Sequence, residues 1–233
     1  MPDHVPVMTS QDLEIGGRPA TWLELEGHST APERLEALFD ALELALAGHG
    51  LTLADVVRSR MTAATREGRA AASAARLRRL SVPFPCATSS YIDPSAFDRP
   101  DGIRLATLAV RRAGADKSAI AHDPSPPPWK VVTTGDLAFL SGITSPADGL
   151  DAQLPEIRAR VTATLAMAEE RIGRPIRPTT VSAYVGRSVA LEAAGDLAAR
   201  VGLAGTPIAV RRCDGFATPA SLIEIEIDAA PGD

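Results

Sequence analysis

Near the end of the chain, in SLIEIEIDAA (221–230), Glu224, Glu226 and Asp228 alternate with Ile223, Ile225 and Ile227. Period-two alternation puts the isoleucines on one face of a strand and the three carboxyl groups on the other. The acidic row has two readings. In open water it is a solvated polar face. Beside a cavity, a partly desolvated carboxyl has a raised pKa and can give or take a proton near neutral pH. An earlier stretch, GIRLATLAV (102–110), repeats the pattern with Arg104 and neutral residues in place of the acids. PIAVRRC (207–213) carries a further set: alternation sends Arg211 and Cys213 to the face of Ala209, and Arg212 to the other. Arg211 is there either an anion-binding cation or an ordinary surface arginine. Cys213 is a small packed residue unless a cation or histidine activates it.

The bulk composition narrows the chemistry. A net charge of −5 and the lack of a Lys/Arg-dense stripe argue against nucleic acid, whose phosphates supply most of the affinity in such complexes. The densest basic stretch, Arg76, Arg78 and Arg79 in ARLRRL, reads as the solvated face of a helix. Cys86 and Cys213 are far apart with no CxxC partner, and His4, His28, His49 and His122 are scattered. These spacings point to reduced thiols, no metal site and no cofactor. The N-terminus lacks the cationic and apolar blocks of a signal peptide, and no apolar run reaches the roughly 20 residues of a membrane helix. A cytoplasmic location with no membrane partner is the expectation.

The elements that must position these groups fall into two similar sets. The proline-rich stretch 113–130, with three consecutive prolines, reads as a linker between halves at 1–112 and 131–233. In the second half, KVVTTGDLAFLSGIT is a hairpin turning at Gly135-Asp136. LPEIRARVTATLAMAEERIG is a helix with Ile157, Val161, Leu165 and Ala168 on one side and Gly173 as its stop. TTVSAYVG is a strand, SVALEAAGDLAARVG a second helix, and PIAVRRCDGF and SLIEIEIDAA close the half. The first half repeats the order, with a hairpin at Gly16-Gly17 and Leu35, Leu38, Leu42 and Leu46 lining its first helix. Each half is thus ββαβαββ: an α+β fold, a mixed sheet with both helices on one face.

This order, with LAFLSGIT at the start and P-x-A-V…LIEIEIDAA at the end, resembles the RidA (YjgF) family of imine/enamine deaminases. The likeness is clearest over 131–230 and fainter over 14–112. It implies a chorismate-mutase-like fold, homotrimers, and small-molecule pockets in clefts between subunits. Tandem chains of this kind occur among the longer chorismatases, whose pockets serve a different small molecule. Carried over position by position, the family's SG serine falls on Ser141 and, in the first half, on Glu26. Its C-terminal strand glutamate falls on Glu224 and on Arg104. The arginine of its PAR triplet, which grips the substrate carboxylate, falls on Ala209 and Ala87.

A methyl group cannot replace a guanidinium clamp, so ordinary imine deamination is not the expected activity. The resemblance selects Glu224 among the three acids as the proton-handling group. Ser141 either bonds a substrate carbonyl or only caps backbone. Glu26 and Arg104 form either an ion pair that plugs a dead pocket or an anion site. His28, two residues on, is an acid/base candidate or merely solvated. Cys86 and Tyr91 could line the cleft, while Tyr184 and Trp129 read as packing residues. The expectation is acid/base catalysis on a reactive unsaturated carbonyl or imine, with Glu224 and Ser141 catalytic and Arg211, Cys213, Arg104, Glu26 and His28 binding substrate. The alternatives are a non-catalytic binding or scaffold trimer, and residual deaminase activity.

Overall fold

The computed structural model describes residues 7–122, 129–190 and 196–232. The first half runs β1 (Val7–Ile15), β2 (Arg18–His28), α1 (Pro32–Gly48), β3 (Val56–Ala63), α2 (Arg66–Arg76), β4 (Ala87–Ile92) and β5 (Gly102–Val110). A short helix α3 (Ala113–Asp116) and strand β6 (Lys117–Ala121) follow. The second half runs β7 (Trp129–Thr134), β8 (Leu137–Ile143), α4 (Leu150–Ile172), β9 (Ile176–Gly186), α5 (Leu197–Arg200), β10 (Ile208–Cys213), β11 (Gly215–Phe216) and β12 (Ile223–Pro231).

Both hairpin turns use glycines at positive φ, Gly16 and Gly17 in the first half and Gly135 in the second. The sheets have orders β1-β2-β5-β3-β4-β11 and β10-β9-β12-β8-β7-β6. The common part, hairpin-central-central-edge, is the same in both, with β3–β4 and β9–β10 as the parallel pairs. The chain is therefore an α+β protein with two mixed sheets.

Two strands depart from the expected pattern. Residues 117–121, inside the expected linker, form β6 and pair antiparallel with β7. β11 leaves the second half and pairs with Tyr91 and Ile92 of β4, so the second half completes the first sheet. The run of three prolines lies outside the described residues. Of the expected helix over 188–202, α5 is the described helical part; 191–195 lie outside the described residues.

Each sheet buries one face under helices. Leu35, Leu38, Phe39, Leu42 and Leu46 of α1 pack with Leu23, Leu25, Met61 and Leu105. Leu154, Ile157 and Val161 of α4 pack on Ile223, Ile225 and Ile227. Full burial of such side chains contributes about 1.5–3 kcal/mol each. The helix-free faces meet each other. At one end an apolar plug holds Val57, Ala87, Leu108, Leu137, Phe139 and Ala230. At the other, Tyr91, Tyr184, Phe216 and Cys213 cluster. Between them lie the charges. No helix among the described residues is long and apolar enough to cross a membrane.

Candidate functional site

The acidic row of β12 does not meet water. Glu224, Glu226 and Asp228 are 4%, 3% and 8% exposed, because they project from the helix-free face into the contact with the first half. On β3 the same alternation aims Arg58 and Arg60 back at them. Arg58 Nε donates to Asp228 Oδ1 at 2.9 Å, and its Nη2 reaches the carbonyls of Ile227 (2.8 Å) and Leu140 (3.0 Å). Arg60 donates to both oxygens of Glu226, and the Ser89 hydroxyl adds a short bond. Burial works against the Glu226 charge but is outweighed by Arg60 and Arg58, so its carboxyl falls to about 2. Asp228 differs: burial outweighs Arg58 and raises its pKa.

Glu224 takes the opposite state to Glu226. Burial, then the neighbouring Glu226 charge, pushes its carboxyl up to about 8, against smaller opposing effects of Tyr91, Arg76 and Arg60. The Tyr91 hydroxyl lies 2.9 Å from Glu224 Oε1 and 2.7 Å from Glu226 Oε1. A phenol has one proton, so it donates to one carboxyl and must accept from the other. The pKa values decide the direction. Glu224 keeps its proton at pH 7 and donates to the Tyr91 oxygen, and Tyr91 donates to the Glu226 carboxylate. Tyr91 stays a phenol because burial and the two flanking carboxyls raise its own pKa.

Glu224 also borders a cavity of about 290 Å3 between the halves. The first half contributes Arg69, Ser73 and Arg76 from α2 and Thr88, Ser89 and Ser90 from β4. The second contributes Gly142, Thr144, Thr218 and Glu224. Gly142 is what admits the carboxyl, since a Cβ there would overlap Glu224. Arg76 is buried rather than on the solvated helix face that the basic run suggested: its Nη1 donates to Ser89 O at 2.7 Å and to Ser59 O at 3.3 Å. Arg78 and Arg79 do lie outward and pair with Glu36. Arg76 turns inward because α2 packs its small residues, Ala72 and Ala75, against the sheet, which brings the next inward position over the β3–β4 carbonyls.

Ser141 is occupied elsewhere. Its hydroxyl donates to Trp129 O at 2.6 Å and accepts from the Thr88 N–H at 2.9 Å, so it ties the edge of β4 to β8. Trp129, partly buried, donates its indole N–H to Ser81 O.

Arg104, Arg211 and Cys213 come together in a second cleft of about 160 Å3, on the other side of Tyr91. Arg104 donates to Glu26 at 2.5 and 3.0 Å and to Ala96 O at 3.0 Å, which forms the ion pair the sequence suggested, though half-exposed. Arg211 is exposed on the edge strand β10. Cys213 is buried, and its thiol is pushed up to about 12 mainly by that burial, which leaves little thiolate. His28 ends β2 and is not among the residues lining either cleft. Cys86 sits in the core of the first half, 3.8 Å from the Ser81 hydroxyl. Tyr184 does more than pack: it stacks on Tyr91 at 3.6 Å between centroids, lies under Arg60 and lines the second cleft.

Among the described residues, no group of three or more His, Cys, Asp or Glu side chains has the geometry to hold a metal ion.

No family model matches the chain, and no curated protein does. Among solved structures, chorismatase superposes over 97% of this chain and 80% of its own, with a TM-score of 0.68 at 15% identity. The chain has the chorismatase fold. Shorter structures align with half of it or less. A member of the YjgF/YER057c/UK114 family from Mycobacterium tuberculosis covers 50% of this chain with all of its own, at 19% identity and a TM-score of 0.41. RidA from an Antarctic Psychrobacter species covers 43% with 85% of its own, at 14% identity and a TM-score of 0.36.

Within this chorismatase fold, sequence reasoning missed the α2 wall (Arg69, Ser73, Arg76) and the basic partners of the acidic row. The second had a visible signal. Arg58 and Arg60 in VVRSRMTA share one strand face, as Glu226 and Asp228 do, and two short charged rows of opposite sign are candidates for one buried contact. The α2 residues gave none, since REGRAAASAAR reads as an ordinary small-residue helix with its arginines in water.

Proposed function

We propose that the chain is a cofactor-free, small-molecule enzyme that uses Glu224 as its proton donor and acceptor on a reactive unsaturated carbonyl or imine. One observation carries this: a buried carboxyl at a cavity wall, with a phenol and a second carboxylate behind it, a setting that raises its pKa. At pH 7 Glu224 is a general acid able to protonate a carbon, oxygen or nitrogen centre in the cavity. Its pKa of about 8 lies close to the operating pH, where proton transfer both ways is efficient. Tyr91 offers a path for the proton to be shared with Glu226. Cyclisation, tautomerisation, dehydration and hydrolysis all fit this machinery, and each draws on one positioned acid in a sequestered cavity. A role in specialised metabolism follows by analogy with duplicated chains whose pockets have been rebuilt.

Association as a homotrimer belongs to the same proposal. Sedimentation equilibrium should then return three times the 24.4 kDa chain mass.

The test is turnover. Wild-type protein and Glu224→Gln are incubated with chorismate, the compound that the structural relative's name points to, and with freshly generated 2-aminoacrylate, and depletion is followed by proton NMR. Turnover of either compound by wild type, lost by at least about a hundredfold in Glu224→Gln with the circular dichroism unchanged, supports the assignment. Full activity in Glu224→Gln refutes it. Ligand binding without turnover in either protein favours a binding module.

A further inference from the structure

Four buried side-chain nitrogen or oxygen atoms among the described residues lack a hydrogen-bond partner: Arg58 Nη1, Arg69 Nε, Ser73 Oγ and Thr107 Oγ1. Two of them, Arg69 Nε and Ser73 Oγ, belong to side chains lining one and the same cavity, the one that Glu224 borders. They sit one helical turn apart on α2, so they share a face. Arg69 is held by a single long bond from Nη1 to the Ser90 hydroxyl, 3.3 Å. Arg76, deeper in the wall, is fixed by carbonyls of β3 and β4 and adds charge without offering the same free edge. Buried donors are almost always satisfied in a folded protein, and two unpaired ones on side chains of one cavity wall point to a missing partner.

We propose that Arg69 and Ser73 are the recognition pair for a carboxylate on the ligand of this cavity. This rests on the proton-handling role given to Glu224 only in that the ligand is then also the substrate. The charge balance agrees: with Glu224 protonated, the ionised side chains of the lining are Arg69 and Arg76, both positive. The donor count selects a carboxylate rather than a phosphate. One guanidinium edge and one hydroxyl match two coplanar oxygens, and a phosphate dianion would leave further oxygens without donors. The ligand spans from α2 to Glu224, with its acid group at one end and its reacting centre at the other.

Benzoate, its neutral isostere benzamide and phenyl phosphate are titrated into the full-length protein by calorimetry at pH 7. Benzoate should bind about tenfold more tightly than benzamide or better. Arg69→Met should erase that preference, Arg69→Lys should restore part of it, and Ser73→Ala should weaken benzoate severalfold while leaving benzamide unchanged. Equal affinity for benzoate and benzamide, no binding of either, tighter binding of phenyl phosphate, or a preference that survives in Arg69→Met each overturns the assignment. If Arg69→Met does not fold, Ser73→Ala decides. The benzoate preference is read by calorimetry with no turnover, so its loss in Arg69→Met does not depend on what Glu224 does to the substrate. That separates the two proposals: turnover depends on Glu224, anion preference on Arg69.

Discussion

Replacing Glu224 by glutamine should change how stability depends on pH, whatever the substrate. In the folded chain the Glu224 carboxyl titrates near 8, against 4.5 when unfolded. The folded state therefore binds this proton more tightly. Below pH 4.5 both states hold it and its stabilising effect is complete. As pH rises the unfolded state releases it first, and stability falls until the folded carboxyl also ionises at about 8. At about 1.4 kcal/mol per pH unit, the loss between pH 5 and 8 is about 3 kcal/mol.

Glutamine is nearly isosteric, keeps a hydrogen-bonding contact to Tyr91 and cannot titrate. Urea unfolding of both proteins at pH 5, 6, 7 and 8, followed by the fluorescence of Trp22 and Trp129, gives the two curves. Other shifted groups, such as Asp228 and Lys117, cancel in the difference. Glu226 titrates below this window, where its stabilising effect is lost as pH falls toward 2. Wild type should lose about 3 kcal/mol relative to Glu224→Gln across the range. Curves that stay parallel within about 0.5 kcal/mol would show that the carboxyl is already ionised at pH 5, and the proton-donor role would go with it.

Arg60→Met should cost about 3–5 kcal/mol in urea unfolding, because it leaves the Glu226 charge buried with a weaker partner; a smaller loss would place that carboxylate in water. Gly142→Ala should cost about 1–3 kcal/mol through overlap with Glu224, and should lower turnover in the same assay as Glu224→Gln. Phe139→Ala, in the apolar plug, should cost about 3–5 kcal/mol and shift one unfolding transition common to both halves, as a shared core requires; two separated transitions would contradict it. Both cysteines are buried, so Ellman's reagent at pH 8 should release no chromophore from native protein and two equivalents per chain after guanidinium.

The ββαβαββ order was readable because its elements carry strong periodicity: leucines at three-to-four spacing in α1, isoleucines at spacing two in β12. β6 was not readable, and β11 was read only as the end of the strand that holds β10. Five and two residues long, they owe their extended form to the sheet edges they meet, β7 and β4, and no local pattern encodes a distant partner. Glu224 could be singled out, yet its environment could not. Whether an acidic strand face meets water or another sheet depends on the packing of the two halves, and alternation alone is silent about that. Arg76 shows the same limit from the other side: one arginine in a run of three turns inward because of what α2 lies against.

The charged rows also explain why these two halves meet through these faces. The second half presents Glu224, Glu226 and Asp228 on its central strand, and the first half answers with Arg58 and Arg60. The corresponding positions of the other copies are different. The central strand of the first half carries Arg104, Ala106 and Leu108, and the second half's counterpart to β3 carries Thr180, Ser182 and Tyr184 on the open side. Among the described residues, the buried row of acids on a central strand therefore meets its bases at this junction. A slipped or reversed pairing of the halves would bury carboxylates without partners, which is far more costly than the ion pairs are favourable. The charges thus make the junction directional, and they leave a surplus. Two arginines neutralise Glu226 and Asp228, so the third acid of the row has no cation of its own and keeps its proton. That uncompensated carboxyl is Glu224, and it lies where the junction opens into the cavity.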